Sequence, residues 1–315
     1  MGAARVNLLN DETDFSAYLK ETEPRQRVRP AAEYIGELTD MLGKPPNVRG
    51  HSLPWLKTRN LFRFRPGEVT LWAGVNGHGK SLLSGFISLD LIASCQRVCI
   101  ASFEMKPHST LTRMIRQWCG YAADQEFAAH PEAVAALRDL YEQFGDLANK
   151  RLWFYDQQGT VSTQQMISVA RYCAKELGIQ HLFIDSLMKC VRGADDYNAQ
   201  KNFVDELTAI ARDHDTHIHL IHHIRKLENE LKKPDKTDVK GAGEITDQVD
   251  NVLLVWRNKS DAGNRKTADA DAALICCKQR HGEWEGGINL WFDRASQQYK
   301  ESPESQIIDF SKRCR

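Results

Sequence analysis

Apolar residues follow two alternating patterns from residue 62 onward. Short apolar runs are typical of strands buried on both faces of a sheet, and longer stretches with an apolar residue at every third or fourth position are typical of helices packed on it. This alternation predicts right-handed βαβ units, and therefore an α/β fold with a mostly parallel sheet and helices on both faces. The predicted strands are 68–73, 97–103, 151–155, 181–184 and 217–221, and the predicted helices are 82–93, 111–118, 132–144, 203–212 and one that runs from the capping box of Ser162 and Gln165 to Gly178.

The two ends of the chain show other patterns. Residues 1–50 are polar and rich in proline, so we expect a segment there and not an independent domain. Helical spacing over 31–42, followed by Gly43 as a cap, predicts one helix, which either packs on its own domain or docks on a neighbouring subunit. Residues 301–315 mix acidic and basic side chains and are expected to be a mobile tail.

The strand-rich part of the pattern lies beyond residue 250, where 251–256, 272–277 and 288–292 are expected to extend the sheet. The predicted organisation is therefore an N-terminal polar segment (1–50), one large α/β domain (51–300) and a tail (301–315).

Composition narrows the class of protein. With 315 residues, 42% hydrophobic and 27% charged, the chain is typical of a globular domain and not of a disordered or fibrous one. Its net charge is zero, so any binding of nucleic acid has to come from a local basic surface. The eight cysteines have no C-x-x-C spacing, and no signal peptide or long apolar span is visible, which favours reduced thiols, a cytoplasmic location and no membrane partner.

Residues 74–81 fit the pattern G-x-x-x-x-G-K-[ST], between a predicted strand and a predicted helix. In such a phosphate-binding loop (P-loop), backbone N–H groups surround the phosphates, Lys80 reaches the β- and γ-phosphates, and Ser81 holds Mg²⁺. The pattern therefore predicts ATP with Mg²⁺ as the ligand. His78 is at a variable position of the motif and is expected to face solvent. The candidate nucleotide-binding residues are Gly74, Asn76, Gly77, His78, Gly79, Lys80, Ser81 and Leu82.

Two acidic residues complete the expected chemistry. Asp185 ends the apolar strand 181–184, at the edge where ligands of parallel sheets bind, and is predicted to be the second residue on the metal. Ser186 follows where many ATPases have a water-activating glutamate, so the general base has to come from elsewhere. Glu104 follows the strand 97–103, which we expect to lie beside the P-loop strand, and is the candidate base. The alternative for Glu104 is a surface residue that opens the next loop.

Several segments in one order resemble the motifs of hexameric replicative DNA helicases, the family of DnaB, Twinkle and phage primase-helicases. The resemblance covers roughly residues 60 to 295 and includes 74–81, 102–105, 183–186, 222–225, 240–250 and 278–280. It implies a RecA-like P-loop ATPase core. It also implies a homo-oligomeric ring, most often a hexamer, that moves along single-stranded DNA.

The resemblance implies roles for particular residues. The family's catalytic base corresponds to Glu104, and the γ-phosphate sensor, which relays its state to a DNA-binding loop, corresponds to His223. Arg280, with Lys278, corresponds to the finger that reaches the nucleotide of the neighbouring subunit. In the family, the base of the bound nucleotide lies between a residue like Arg257 and an aromatic residue like Phe292 or Tyr299. Members also carry a primase or a primase-interacting domain, which 50 residues cannot form, so we expect either a fragment or a separate primase or loader.

The basic segment, residues 225–240, is the candidate DNA contact. By composition it is typical of a solvated loop, since six basic residues face four acidic ones. The resemblance places this segment at the central channel of a ring, where Gly241 and Gly243 would let a loop backbone approach the strand closely. The candidate DNA-binding residues are Lys232, Lys233, Lys236, Lys240, Gly241 and Gly243.

A histidine-rich strand raises the alternative of a metal site. His217 and His219 are expected on one face and His222 on the other, so the three do not converge on one ion.

The P-loop and the resemblance together predict a magnesium-dependent ATPase that acts as a ring-forming helicase and moves 5′ to 3′, the direction implied by the resemblance alone. The alternatives are a RecA-like recombinase or repair ATPase that forms a filament without unwinding DNA, and a nucleotide-gated scaffold or loader that does not contact DNA.

Overall fold

The strands of the molecule form one large sheet and one short hairpin. The computed structural model describes residues 7–8, 14, 16, 18, 35–36, 39, 50–123, 125, 134–191, 196–225, 231–239, 242–260 and 269–310. The strands are β1 (Asn7–Leu8), β2 (His51–Ser52), β3 (Arg63–Phe64), β4 (Val69–Gly74), β5 (Val98–Ser102), β6 (Leu152–Tyr155), β7 (His181–Asp185), β8 (His217–His223), β9 (Asn251–Arg257), β10 (Ala272–Gln279), β11 (Gly286–Phe292) and β12 (Tyr299–Lys300).

Ten of these strands form the sheet, in the order β1-β6-β5-β7-β8-β4-β9-β10-β11-β12. The pairings from β1 to β9 are parallel, and those of β10, β11 and β12 are antiparallel. The P-loop strand β4 therefore lies in the middle, between β8 and β9. The α/β fold and its mostly parallel sheet are confirmed.

Helices cover both faces of the sheet because the strands are apolar on both sides. They are α1 (Lys80–Ala93), α2 (Pro107–Cys119), α3 (Val134–Ala148), α4 (Thr163–Lys175), α5 (Leu187–Cys190), α6 (Tyr197–His214) and α7 (Ala242–Gln248). One of the two hydrogen bonds of the predicted capping box is confirmed, since the Ser162 side chain accepts a hydrogen bond from the Gln165 N–H at the start of α4. One apolar core contains α4 and α6, and the other contains α1, α2 and α3.

The ends of the chain are partly described. Asn7 and Leu8 form β1 on the edge strand β6, and Arg171 donates to the Tyr18 carbonyl at 3.0 Å, so these parts of the polar segment pack on their own chain. Of the predicted helix 31–42, only residues 35, 36 and 39 are described, and they are helical; the rest of it lies outside the described residues.

The expectation of a mobile tail is wrong for residues 301–310. Phe310 is fully buried and its ring packs edge-on against Phe86 of α1, with the centroids 5.7 Å apart. The Ile308 N–H also donates to the Gln298 side chain at 2.7 Å. Phe310 anchors this stretch to the core, although the charged residues around it indicated exposure to solvent. Residues 311–315 lie outside the described residues.

Candidate functional site

The P-loop leaves the sheet where β4 ends and enters α1 at Lys80. Gly77 and Gly79 have φ angles of 76° and 88°, in the left-handed region that glycine adopts without strain. Gly74 needs its missing side chain for another reason, because a Cβ there would lie 2.5 Å from the Val255 carbonyl oxygen of β9. A Cβ at Gly79 would lie 2.7 Å from the Tyr299 hydroxyl. Glycine at these positions therefore lets the loop adopt this backbone without strain or a close contact.

Lys80 lies across the mouth of the loop. Its Nζ donates to the carbonyl oxygens of Gly74 at 2.7 Å and Val75 at 3.1 Å. Burial lowers the pKa of Lys80 from 10.5 to about 8, and the negative charges of Asp185 and Glu104 oppose this effect. The ammonium is thus placed in a poorly solvated position, where phosphate oxygens would stabilise its charge.

Ser81 and Asp185 are brought together as predicted. The Ser81 hydroxyl donates to Asp185 Oδ2 at 2.6 Å. Burial raises the pKa of Asp185, and the hydrogen bond from Ser81 opposes the shift. A hydroxyl beside a carboxylate fits Mg²⁺, which takes few ligands from the protein and others from water and phosphate. Among the residues that the structure describes, no group of three or more His, Cys, Asp or Glu side chains could hold a metal ion by itself.

Glu104 reaches the same cavity, although not from the expected neighbouring strand. The expected adjacency of its strand β5 to β4 is wrong, because β7 and β8 lie between them. Ser102 of β5 pairs with Asp185 of β7, which brings the start of the next loop to the metal-side carboxylate. Glu104 is half-exposed and pairs with Lys189 at 3.5 Å. A cavity of 550 Å³ is lined by Asn76, Gly77, Gly79, Lys80, Ser81, Leu82, Glu104, Arg113, Asp185, His223 and Gln297.

His223 stands between this cavity and the basic segment. It ends β8 and pairs with Gly74, the last residue of β4. The next residue, Ile224, forms an antiparallel bridge with Val239, and Arg225 N–H donates to the Asp238 carbonyl at 2.8 Å. The described part of the basic segment is therefore attached directly to the strand end that carries His223.

The expectation that His78 faces solvent is wrong. His78 is fully buried, and its Nδ1 accepts a hydrogen bond from the Arg257 N–H at 3.2 Å. The variable position of the motif thus joins the P-loop to the end of β9. Arg257 itself is exposed there.

Phe292 and Tyr299 are the aromatic residues expected to contact the base of the nucleotide. They form a pair beside the P-loop. Their ring centroids are 5.2 Å apart. Burial raises the pKa of Tyr299 to about 12, and its hydroxyl faces Gly79 as described above. Neither Arg257 nor Phe292 lines the 550 Å³ cavity.

Two residues of the cavity were missed from the sequence. Arg113 is an exposed residue of the amphipathic helix α2, and its Nη1 lies 3.0 Å from the Met105 sulfur. Gln297 has a φ of 55° in the turn between β11 and β12, and its carbonyl accepts from Gln117 at 3.0 Å. A basic residue on a polar helix face and a glutamine in a turn carry no sequence signal, because only the fold brings them to the P-loop.

Lys278 and Arg280 lie at the opposite edge of the sheet. Gln279, between them, pairs with Asn251 at the start of β9, which pairs with Thr70 near the start of β4. The P-loop leaves from the other end of β4. The structure therefore does not bring either cation to the nucleotide cavity of its own chain, and neither lines that cavity.

The described part of the basic segment packs against β9 and β11. Lys233 Nζ donates to the Asn289 side chain at 3.1 Å and lies 5.6 Å from the centre of the Trp256 ring. Lys232 and Lys236 are exposed. The expectation of a loop backbone at Gly243 is wrong, because Gly243 lies in the first turn of α7. Lys240 and Gly241 lie outside the described residues.

The histidines form a buried polar cluster with protein partners. Trp72 donates to His219 Nδ1 at 3.2 Å, so His219 Nε2 carries the proton that it shares with His181 Nδ1 at 3.1 Å. His217 contacts the Thr70 hydroxyl at 2.8 Å and the Arg65 carbonyl at 2.6 Å. Burial lowers the pKa of His217 to about 4, which keeps its ring neutral.

Comparisons with known proteins agree with this geometry. A family model described as the DnaB-like helicase C-terminal domain matches residues 59–301. A solved structure described as an ATPase domain is 16% identical, with a TM-score of 0.70, over 90% of this chain and 99% of that one. A DnaB-like replicative helicase, described with its interactions with primase, is also 16% identical, with a TM-score of 0.70, over 88% of this chain and 69% of that one. These likenesses confirm the RecA-like fold of the predicted family. In the described part of the chain, no helix is long and apolar enough to cross a membrane.

Proposed function

The chain belongs to the family of DnaB-like helicase C-terminal domains, and we propose that it is an ATP-driven motor that assembles into a ring, moves along single-stranded DNA and unwinds duplex DNA during replication. The observation that carries this proposal is the convergence of Lys80, Ser81, Asp185, Glu104 and His223 on one cavity. This set contains the groups that bind the phosphates and the metal and that activate water, and an arginine finger is not among these five residues.

The proposed chemistry assigns one task to each side chain. Lys80 binds the β- and γ-phosphates, and its ammonium exchanges the carbonyls of Gly74 and Val75 for phosphate oxygens. Ser81 and Asp185 hold Mg²⁺, which when bound neutralises the charge that develops on the phosphates. Glu104 orients the attacking water and takes its proton. The Lys189 ammonium lies 3.5 Å from the Glu104 carboxylate and forms an ion pair with it, which orients the carboxylate.

The missing cation is proposed to come from a second copy of the chain. Arg280 N–H donates to Asp250, and Asp250 N–H donates to Val69 at the start of β4. The P-loop begins five strand residues further on, at Gly74. At ~3.3 Å per residue this is about 16 Å, which is longer than an arginine side chain. The proposed target of Arg280 is therefore the nucleotide of another subunit, reached through a head-to-tail contact of the kind that closes rings or forms filaments.

DNA is proposed to bind along the basic segment and α7, in the channel of the assembly. Lys232 and Lys236 are exposed, and the segment is attached to the strand end that carries His223. A change at the γ-phosphate can therefore move the segment through a short covalent connection. Several copies around a ring would add up to a basic channel although the chain has no net charge, and binding should weaken steeply with salt. The proposed direction is 5′ to 3′, and a separate primase or loader is the proposed partner.

Unwinding and assembly test the proposal together. A forked duplex with a 5′ single-stranded arm should be separated in the presence of ATP and Mg²⁺, and negative-stain images should show closed rings. The Lys80→Ala chain should do neither hydrolysis nor unwinding. Open filaments that hydrolyse ATP on DNA without separating the fork would instead favour the recombinase alternative.

A further inference from the structure

Lys278 and Arg280, at the end of β10, both bind the stretch of backbone that ends α7 and leads into β9. Lys278 Nζ donates to the carbonyl oxygens of Thr246, Asp247 and Val249 at 2.8, 2.9 and 2.8 Å. Arg280 binds the same stretch through its backbone N–H, which donates to the Asp250 carbonyl at 2.9 Å. Lys278 thus satisfies carbonyls that the C-terminus of a helix leaves without partners.

Asp250 fixes the direction of the Arg280 side chain. Its carboxylate is 2% exposed and its Oδ1 lies 3.0 Å from Arg280 Nε, while its Oδ2 accepts from the Val69 N–H at 2.9 Å. Arg212 of α6 reaches the same oxygen at 3.6 Å. A buried carboxylate with a charged partner and a backbone donor has one low-energy orientation, because rotating it would leave both donors unpaired. The Arg280 side chain remains 38% exposed, so it is held at Nε while part of it faces outward.

Helix α7 joins this stretch of backbone to the basic segment. Its first residue, Ala242, comes three positions after Val239, which is bonded to the strand end next to His223. Its last residue, Gln248, comes two positions before Asp250, and Arg280 Nη2 lies 3.4 Å from the Gln248 carbonyl. Ile245 of this helix and Val249, the residue after it, are both buried in the core below α6. The helix is thus the connection between the basic segment and the carbonyls that hold Lys278 and Arg280.

We propose that Asp250 is the positioning residue for Arg280, and that α7 makes the orientation of Arg280 depend on the basic segment of the same chain. Single-stranded DNA on one subunit then sets the cation that acts on the nucleotide of its neighbour. This inference rests on the proposed function, because it needs Arg280 to act on a second subunit. It adds a path by which DNA changes hydrolysis without contact between DNA and that nucleotide.

Mixed assemblies test this inference. Each dopant chain carries Lys80→Ala, so it hydrolyses no ATP but still offers Arg280 to a wild-type neighbour. Four dopants are compared in ninefold excess over wild type with single-stranded DNA: Lys80→Ala alone, and the same chain with Arg280→Ala, Asp250→Asn or Asp205→Asn. Asp205 is an exposed residue of α6 and serves as the matched control. Asparagine keeps the size of Asp250 and an acceptor for Val69, and it removes the charge that holds Arg280.

The expected results are specific to a positioning role. About nine in ten wild-type sites would face a dopant, so adding Arg280→Ala should lower hydrolysis per wild-type chain about tenfold relative to Lys80→Ala alone. Asp250→Asn should cause at least half of that logarithmic loss, roughly threefold or more, and Asp205→Asn none. The homogeneous Asp250→Asn chain should also lose kcat and DNA stimulation while its affinity for a fluorescent ATP analogue stays unchanged. That affinity, measured below the melting transition of the variant, shows that the fold is kept.

Two outcomes would overturn the inference in different ways. If Asp250→Asn dopants match Lys80→Ala alone while Arg280→Ala dopants lower the rate, Asp250 does not position the cation, and the proposed function stands. If Arg280→Ala dopants also match Lys80→Ala alone, the cation does not act between subunits, and both proposals fall.

Discussion

The low pKa of Lys80 predicts that nucleotide affinity falls above pH 8. Burial lowers this pKa from 10.5 to about 8 in the free chain, whereas a bound triphosphate would raise it again, because phosphate oxygens stabilise the ammonium. Below pH 8 the lysine is charged in both states, so affinity is flat. Above pH 8 the free chain loses the proton and the complex keeps it, so binding takes up a proton and weakens as the pH rises.

The size of this effect follows from the shift. If the pKa in the complex returns at least to 10.5, the two states differ by 10.5 − 8, or about 2.5 pH units. One unit corresponds to about 1.4 kcal/mol, so the full effect is on the order of 3 kcal/mol, or roughly 300-fold in affinity. At pH 9, about nine in ten free chains would lack the proton, and the affinity should be about tenfold weaker than at pH 7.

Calorimetric titration with a non-hydrolysable ATP analogue measures this prediction. The affinity should fall between pH 8 and 9.5, and two buffers of different ionisation heat should report the uptake of nearly one proton at pH 9. Lys80→Arg is the control, because a guanidinium stays charged over this range and its weaker binding should not vary with pH. A flat profile for the wild type up to pH 9.5, with no proton uptake, would refute the low pKa of Lys80.

Three further variants probe other parts of the account. Glu104→Gln should keep nucleotide affinity and assembly but lose about 10²- to 10⁴-fold in kcat, measured by phosphate release, and a loss of binding would point to a structural role. Gly79→Ala should weaken nucleotide binding at least tenfold, since it adds backbone strain of about 1–2 kcal/mol and a clash with Tyr299; unchanged binding would contradict the geometry of the P-loop. Phe310→Ala should lower the free energy of unfolding in urea by about 3–5 kcal/mol, because it removes a fully buried ring from Phe86, and a change below 1 kcal/mol would mean that residues 301–310 are not anchored.

The sheet could be predicted because its strands are short apolar runs between polar turns. The strand that ends at Asp185 and the P-loop strand both lie where the pattern indicated, with ends that differ by one residue. The order of the strands could not be predicted in the same way. Alternation of strands and helices fixes the handedness of each crossover but not which strand lies beside β4, and the position of β5 was therefore wrong.

Some residues of the candidate site could be predicted from the sequence, and others could not. Lys80, Ser81 and Asp185 were found because a phosphate and a metal require particular residue types at particular places in a strand, loop and helix. Arg113 and Gln297 come from a helix face and a turn that are distant in sequence, so only the fold shows that they line the cavity. Residue type alone also does not distinguish a solvent-facing histidine from one that, like His78, accepts a backbone hydrogen bond.

The basic segment, the helix that follows it and the tail were the least predictable parts of the chain. Gly243 was expected in a loop, where a glycine would let the backbone approach a DNA strand closely, yet it forms the first turn of α7 although glycine disfavours helices by about 1 kcal/mol. That first turn costs less than a helix interior, and the buried side chains of Ile245 and Val249 offset the rest. Asp250 lies in the resembling segment 240–250, but its role was not predicted, because two arginine side chains and a backbone N–H meet at its carboxylate only in the folded chain.

The most direct test of the central claim is the rate of ATP hydrolysis per chain, measured against protein concentration with and without single-stranded DNA and at two salt concentrations. If hydrolysis needs a cation from a neighbour and responds to DNA in a basic channel, the rate per chain should rise with protein concentration, increase strongly with DNA, and lose that increase at high salt. A rate per chain that is independent of both concentration and DNA would contradict the account and favour a nucleotide-gated scaffold.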